Sequence, residues 1–235
     1  MQSIKLIVVG EKHVGKTSII DQYINNHFSE EYIMTMKISD RSIKDIELSN
    51  GSKIKLEIWD TIGQGQYRLM NNLFMKNTKI ALLVYDITDQ KSFDELNELY
   101  EQVNEVNGKG KVYFSVIGNK SDLYEKQVIS KEIGEEYAKS INALFFETTA
   151  TDHECIDNLF KLVVFEYVKS KIKSKKEQFD EIQFKNNKKI NNKSHNDSLI
   201  DEDIIEKALK EVQEKNEKIN SFNIKYQKKK KKNCC

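Results

Sequence analysis

The stretch Gly10-Glu11-Lys12-His13-Val14-Gly15-Lys16-Thr17 fits the pattern G-x-x-x-x-G-K-[ST]. The apolar, β-branched run Ile4 to Val9 precedes it, and an amphipathic helical segment opens at Gly15. In this context the glycines let backbone N–H groups wrap phosphate oxygens, and the start of the helix adds partial positive charge. Lys16 is placed to reach the β and γ phosphates, and Thr17 to offer its hydroxyl to Mg²⁺. The motif therefore predicts a strand, a phosphate-binding loop and a helix that together hold a nucleoside triphosphate.

Short β-branched runs alternate with amphipathic helical segments along the first 170 residues. The predicted strands are Ile4–Val9, Ile43–Leu48, Ile54–Trp59, Ile80–Tyr85, Val112–Ile117 and Leu144–Phe146, and the predicted helices are Gly15–Asn25, Ser92–Val106, Ser130–Ser140 and Cys155–Val168. This alternation predicts an α/β fold with a doubly wound, six-stranded, mostly parallel sheet. The second and third strands form one antiparallel hairpin, since Asn50-Gly51 between them tolerates positive φ.

The net charge of +1 conceals two differently charged parts. Residues 1–170 hold 20 Lys and Arg against 26 Asp and Glu, whereas residues 171–235 hold 18 Lys against 11 acids. We therefore predict one globular domain over residues 1–170 and a flexible, lysine-rich tail over residues 171–235. Within the tail, apolar residues recur every seven positions over 201–219, which fits a solvated, marginal helix better than a partner-binding coiled coil.

Composition excludes several classes of protein. Three Cys without metal-ligand spacing exclude a disulfide framework and a zinc scaffold. The longest apolar run, Ile80 to Tyr85, is far shorter than the ~18 residues that span a bilayer. Residues Met1 to Gly10 lack the apolar core of a signal peptide. We therefore expect a cytosolic protein, or one that reaches a membrane by another route.

Two further motifs each follow a predicted strand. Asp60-Thr61-Ile62-Gly63-Gln64 would place the Asp60 carboxylate beside Mg²⁺ and a backbone N–H near the γ-phosphate. Asn119-Lys120-Ser121-Asp122 supplies a carboxylate that can accept hydrogen bonds from the ring N–H and the exocyclic amine of guanine, an arrangement that adenine lacks. The three motifs in this order predict a GTP site and disfavour an ATP-using enzyme.

With these motifs, residues 3–169 resemble the Ras superfamily of small GTPases and, within it, the Rab family, whose P-loop G domain the chain would share. The resemblance implies that Phe28 packs against guanine, Asn119 braces its loop, Lys120 lies along the base and Asp122 reads it. Glu147-Thr148-Thr149-Ala150-Thr151 resembles the family element E-T-S-A-K, in which the Ala N–H meets the guanine oxygen. The implied nucleotide ligands are thus His13, Val14, Gly15, Lys16, Thr17, Ser18, Phe28, Thr35, Gly63, Asn119, Lys120, Asp122, Thr149, Ala150 and Thr151.

The resemblance also implies a switch. Thr35 stands where the family has the Thr that binds Mg²⁺ and the γ-phosphate, so the implied metal ligands are Thr17, Thr35 and Asp60. Gly63 begins the second switch, and Gln64 matches the catalytic residue that orients the attacking water. Loss of the γ-phosphate would release both loops, so the effector surface would exist only in the GTP state.

Several positions depart from the family pattern. Lys12 and His13 replace small or neutral residues beside the γ-phosphate, Ile62 replaces Ala, and Gly65 replaces Glu. Residues 36–40 also differ from the family's first switch, so the effectors should differ. A flexible Lys seldom holds the fixed geometry that stabilises a transition state, so we predict slow intrinsic hydrolysis. The alternative is a GTP-binding module that scarcely hydrolyses GTP and recruits partners to a membrane constitutively.

The chain ends in five lysines, Asn233, Cys234 and Cys235. A C-a-a-X box needs Cys fourth from the end, where Lys232 stands, whereas a terminal Cys-Cys pair resembles the Rab signal for geranylgeranylation of both cysteines. Two lipid chains anchor stably, and each nearby Lys adds ~1 kcal/mol on anionic lipid. The lysine run has no interleaved aromatics, so we expect no nucleic acid partner.

The resemblance finally implies a cellular setting. It implies a monomer that acts in vesicle trafficking on the cytoplasmic face of an intracellular membrane and cycles with the cytosol. The implied partners are an exchange factor, a GTPase-activating protein, effectors, a prenylation escort and a GDP-dissociation inhibitor.

Overall fold

The computed structural model describes residues 3–29, 41–47, 53–61 and 74–187, with side chains as far as residue 174. These residues belong to one compact unit, residues 1–46 with 53–181, except for residue 47 and residues 182–187, which fall in a second unit. Several predictions lie outside the described residues: those for Thr35, Ile62, Gly63, Gln64, Gly65, residues 201–219, Cys234 and Cys235.

Six strands form one sheet in the order β2-β3-β1-β4-β5-β6. The strands are β1 (Ser3–Val9), β2 (Arg41–Glu47), β3 (Lys53–Asp60), β4 (Ile80–Asp86), β5 (Tyr113–Asn119) and β6 (Leu144–Glu147). β1 runs parallel to β3 and β4, and β5 runs parallel to β4 and β6. β2 is antiparallel and lies at the edge beside β3. The predicted α/β fold, a six-stranded sheet with one antiparallel strand, is confirmed.

Helices alternate with these strands. Among the described residues they are α1 (Lys16–Asn25), α2 (Gln90–Asp94), α3 (Leu96–Asn107), α4 (Lys131–Ser140) and α5 (His153–Asn187), with a 3₁₀ helix at Ser121–Lys126. The single helix expected over Ser92–Val106 is two helices, and the first begins earlier because the Asp89 side chain accepts a hydrogen bond from the Lys91 N–H.

The last helix is longer than its apolar pattern predicts. We expect it to end near Val168, but α5 continues to Asn187. Residues 169–187 are rich in Lys, Glu and Gln and contain neither Gly nor Pro, so nothing in their local propensity stops the helix. The apolar positions therefore mark the part of α5 that packs on the rest of the domain, whereas helix propensity determines how far the helix continues beyond it.

The central strands carry the core. All seven residues of β4 are buried, whereas the edge strand β2 alternates between exposed and less exposed residues. On one face, Leu83 and Tyr85 of β4 pack with Leu96 of α3 and Ala138 of α4. Because the central parallel strands are buried, functional groups at this sheet are expected beyond their carboxyl ends. Over the described residues, no helix combines the length and apolar character needed to cross a bilayer.

Candidate nucleotide-binding site

The loop between β1 and α1 is wound so tightly that two of its positions require glycine. A Cβ at Gly10 would lie 2.3 Å from the Val84 carbonyl oxygen of β4. Gly15 has φ of 93°, and its Cβ would lie 2.3 Å from Asn119 Nδ2. Both glycines therefore allow close approach of the loop to its neighbours, as a phosphate-binding loop requires. His13 adopts a positive φ of 65° in the same loop without being glycine.

Helix α1 starts from this loop, and no acidic side chain of its own first turn neutralises the partial positive charge at its N-terminus. Gly15 is the N-cap, makes no side-chain cap, and no acid lies in the first turn. The helix start thus favours an anion at the loop. Thr17, the predicted Mg²⁺ ligand, and the half-buried Ser18, an implied nucleotide ligand, stand in this first turn.

Lys16 is buried with its ammonium turned back into the loop. Its Nζ donates to the Gly10 carbonyl oxygen at 3.0 Å and to the Glu11 carbonyl oxygen at 2.8 Å. Burial lowers the pKa of Lys16 to about 8, although the negative charges of Asp60 and Glu11 act in the opposite direction. The loop therefore contains a poorly solvated cation, which phosphate oxygens would stabilise.

Two of the predicted magnesium ligands are in contact. Thr17 Oγ1 donates to Asp60 Oδ2 at 2.6 Å, which joins the start of α1 to the end of β3. A hydroxyl and a carboxylate are the hard oxygen donors that Mg²⁺ prefers, so these residues fit the ion. No group of three or more His, Cys, Asp or Glu in the described ranges is suited to a metal.

The loop after β5 is tied directly to the phosphate-binding loop. Asn119 is buried, and its Nδ2 donates to the Val14 carbonyl oxygen at 2.8 Å. Lys120 follows with φ of 64°, and its Nζ lies 2.6 Å from Asp86 Oδ2 at the end of β4. The predicted base-binding and phosphate-binding loops thus adjoin, although Val14 and Asn119 are 105 residues apart in the sequence.

A third loop joins them after β6. The Thr148 N–H donates to the Gly118 carbonyl oxygen at 2.8 Å, and the Ser121 N–H donates to the Thr148 carbonyl oxygen at 3.0 Å. Thr149 Oγ1 then donates to Asp122 Oδ1 at 2.6 Å. Adjacent to these residues, Ala150 is buried. The five-residue element after β6 is therefore packed against the loop that carries Asp122.

Phe28 and Asp86 stand apart from the other candidates. Phe28 follows α1 and is 39% exposed, so its ring is not part of the core and stays available for contact with a planar base.

Asp86 was not among the predicted site residues, although it forms a salt bridge with Lys120 and its Oδ1 also accepts from the Thr88 N–H at 2.8 Å. The signal for it was an acid at the carboxyl end of a buried strand.

Comparison with known proteins agrees with this geometry. The Ras family model matches residues 5–169. Ras-related protein RabQ of Dictyostelium discoideum is 40% identical over 159 residues, which cover 67% of this chain and 76% of that protein. GTP-binding protein ypt1 of Schizosaccharomyces pombe is 33% identical over 156 residues, 66% of this chain and 75% of that protein. Ras-related protein Rab-8A of Bos taurus is 36% identical over 156 residues, 66% of this chain and 74% of that protein.

The Ras family model extends from within β1 to within α5. The matches confirm the family resemblance that the motifs indicate. The chain therefore belongs to the Ras family and, within it, is a Rab-family small GTPase that binds guanine nucleotide.

Proposed function

We propose that this protein is a GTP-dependent switch that binds GTP or GDP with Mg²⁺, hydrolyses GTP slowly and recruits effectors to an intracellular membrane in vesicle transport. The observation that carries the proposal is the hydrogen bond of 2.8 Å from Asn119 Nδ2 to the Val14 carbonyl oxygen. This bond holds a base-reading loop against a phosphate-binding loop. A nucleotide carries a base and phosphates on one molecule, so it can contact both loops at once. The Rab-family membership and the lysine-rich tail support the setting of this switch.

Each end of the nucleotide meets a different set of side chains. Asp122 accepts hydrogen bonds from guanine, and Lys16 and the start of α1 stabilise the phosphates. Thr17 and Asp60 would hold Mg²⁺, and the ion would neutralise the negative charge that develops on the phosphates. Thr35 and Gly63 are proposed to sense the γ-phosphate by family resemblance, which couples hydrolysis to release of the effector surface.

The proposal of slow GTP hydrolysis is supported by Lys12 in the phosphate-binding loop. Lys12 is exposed to solvent, and its backbone N–H donates to Glu11 Oε1 at 2.8 Å. A solvated, flexible ammonium does not offer the fixed geometry that stabilises a transition state. The same side chain would obstruct an arginine supplied by an activating protein. Gln64 would still orient water, which leaves a low intrinsic rate.

Nucleotide affinity and single-turnover hydrolysis, measured on the same full-length sample, test this proposal. We expect tight binding of GTP and GDP, weak competition by ATP, and turnover well below that of relatives with a small residue at position 12. The matched variant Lys12→Ser should raise turnover in the presence of an activating protein and leave GDP affinity unchanged. Tight binding with no turnover in either protein would favour a constitutive recruitment module, and equal competition by ATP would contradict a GTP site.

Membrane attachment needs a separate test in cells. We propose that Cys234 and Cys235 carry lipid and that the five lysines before Asn233 bind anionic lipid, with an escort protein and a GDP-dissociation inhibitor as partners. A chain without the two cysteines should move from the membrane fraction to the cytosol. A chain with the five lysines changed to Gln should remain lipidated and lose selectivity for anionic membranes. Unchanged localisation of the chain without cysteines would refute this attachment.

A further inference from the structure

A chain of hydroxyl groups leads from Thr151 to the base-reading carboxylate. Thr151 Oγ1 lies 2.8 Å from Thr149 Oγ1, and Thr149 Oγ1 donates to Asp122 Oδ1 at 2.6 Å. The Thr151 N–H also donates to Thr149 Oγ1, at 3.2 Å. Thr149 is buried and Thr151 is exposed, so the chain runs from the surface to the site. Thr151 stands where the family element has Lys, and a Lys side chain has no hydroxyl to make this contact.

The chemistry of the three groups sets the direction of the hydrogen bonds. A carboxylate only accepts, so the single hydroxyl proton of Thr149 is used on Asp122. The Thr149 oxygen has two lone pairs, and it accepts from the N–H and from the hydroxyl of Thr151. The proton between the two hydroxyls must therefore come from Thr151. All the hydrogen-bonding capacity of the Thr149 hydroxyl is thereby used. Hydrogen bonds that follow one another with the same donor-to-acceptor direction also strengthen each other.

Asp122 needs such support because it is exposed and packing does not fix its carboxylate. The terminal torsion of an Asp side chain is broad, so the plane of the carboxylate rotates easily unless a donor fixes one oxygen. Guanine presents a ring N–H and an exocyclic amine side by side, and both meet acceptors only when that plane is aligned with the base. A base that lacks the amine tolerates the rotation, because it needs one acceptor only.

We propose that Thr151 is a positioning residue for base recognition: through Thr149 it holds the Asp122 carboxylate in the plane that accepts from both the ring N–H and the amine of guanine. This inference rests on the proposed GTP site. It assigns to Thr151 a part in selecting the base rather than in binding nucleotide generally. A β-branched side chain suits this role, since its χ1 is restricted and little freedom is lost when the hydroxyl is fixed.

The test compares GDP with inosine diphosphate, which lacks the exocyclic amine, on the full-length protein. Thr151→Val keeps the shape and removes the hydroxyl, and we expect it to weaken GDP binding about three- to tenfold, the value of one neutral hydrogen bond. Inosine diphosphate affinity should change less than about twofold, since its single contact tolerates rotation of the carboxylate. Thr151→Ser keeps the hydroxyl and should restore the wild-type preference. Thr151→Ala should match Thr151→Val, which excludes a misfit of the valine methyl.

The outcomes separate this inference from the proposed function. An equal loss of both nucleotides in Thr151→Val would overturn the inference, because general damage to the loop does not select between the bases. Thr151→Ser behaving as Thr151→Val would overturn it as well. A wild-type protein that does not prefer GDP to ADP would refute the GTP site itself, and that result is read on the unmodified chain.

Discussion

Lys16 illustrates how a single side chain depends on its immediate neighbours. Its ammonium is buried against two backbone carbonyls of its own loop, which carry only partial negative charge. Burial therefore outweighs the neighbouring carboxylates, and the pKa falls to about 8. Phosphate oxygens carry full negative charges and would raise the pKa of Lys16 again. At the scale of residues, Lys16 thus has partially charged partners in its own loop and would have fully charged partners in the phosphates of a nucleotide.

Asp122→Asn should change which base is bound. The amide presents a donor where the carboxylate accepts, and a donor facing the amine of guanine leaves both groups unsatisfied. GDP affinity should fall about 10- to 100-fold. Xanthosine diphosphate carries a carbonyl oxygen in place of that amine, so its affinity should rise, as competition binding would show. Asp94→Asn on α2 is the matched control. Unchanged GDP affinity in Asp122→Asn would contradict recognition of guanine by this carboxylate.

Gly10→Ala should disturb the phosphate-binding loop. The new Cβ would lie 2.3 Å from the Val84 carbonyl oxygen, a backbone atom that moves only with β4. We expect a loss of about 1–3 kcal/mol in the free energy of unfolding, measured with urea, and weaker GDP binding. At Gly110, where φ is 74° and no described residue beyond its chain neighbours comes within 4 Å of the added Cβ, an alanine should leave GDP affinity unchanged. Equal effects of the two changes on GDP affinity would show that the loop tolerates a side chain at Gly10.

At the scale of elements, parallel pairing brings the functional loops to one edge of the sheet. β1, β3, β4, β5 and β6 run in the same direction, so their carboxyl ends meet there. Asp60, Asp86 and Asn119 are the last residues of three of these strands, and the phosphate-binding loop follows a fourth. Residues far apart in the sequence therefore lie within hydrogen-bonding distance. The site is a consequence of strand direction together with strand order.

Phe160→Ala should loosen the contact of α1 with α5. The Phe160 ring is fully buried and stacks on Tyr23 of α1, with ring centroids 3.9 Å apart. Its truncation leaves a cavity, so the free energy of unfolding should fall about 3–5 kcal/mol in urea titration. Ile172→Ala, on the same helix but 42% exposed, should change it by less than about 0.5 kcal/mol. A loss below about 1 kcal/mol for Phe160→Ala would show that this stack contributes little to the packing.

At the scale of the whole molecule, buried and half-buried tyrosines make the free energy of unfolding depend on alkaline pH. Burial raises the pKa of Tyr113 and Tyr137 to about 12, and it also raises the pKa values of Tyr23, Tyr85 and Tyr167. In the unfolded chain a tyrosine ionises near pH ~10. Above that pH the folded state binds more protons than the unfolded state. The stability contributed by the neutral hydroxyls is thus complete below about pH 10 and is lost as the pH rises through the folded values.

The double variant Tyr85→Phe and Tyr137→Phe tests this linkage. Both hydroxyls are buried, and neither has a hydrogen-bond partner among the described residues, so their removal should cost little at pH 8. The free energy of unfolding, measured in urea between pH 8 and 11, should fall less steeply in the variant than in the wild type. Lysines titrate equally in both proteins, so the difference isolates the tyrosines. Identical slopes would contradict the pKa shifts of these two residues.

Local patterns predicted the elements of the sheet and the three nucleotide-binding motifs. The β-branched runs and the glycines of each motif act over a few residues, and the order of the motifs is read directly from the chain, so strand positions, fold class and family could be predicted from them. The end of α5, the start of α2 and the break between α2 and α3 were missed. Helix propensity decides the first of these boundaries and the Asp89 side-chain cap decides the second, and the apolar pattern records neither.

By itself, the amino-acid sequence determined which residue types stand at the site and in which order, because each motif is a local arrangement with its own backbone requirement. Only the tertiary structure decided which of them touch. The contacts of Asn119 with Val14, of Lys120 with Asp86, and of Thr151 with Asp122 through Thr149 depend on strand order and on the approach of three separate loops. Such contacts join residues far apart along the chain, and their separation in sequence carries no information about their distance in space. They meet because the sheet packs its strands in this order.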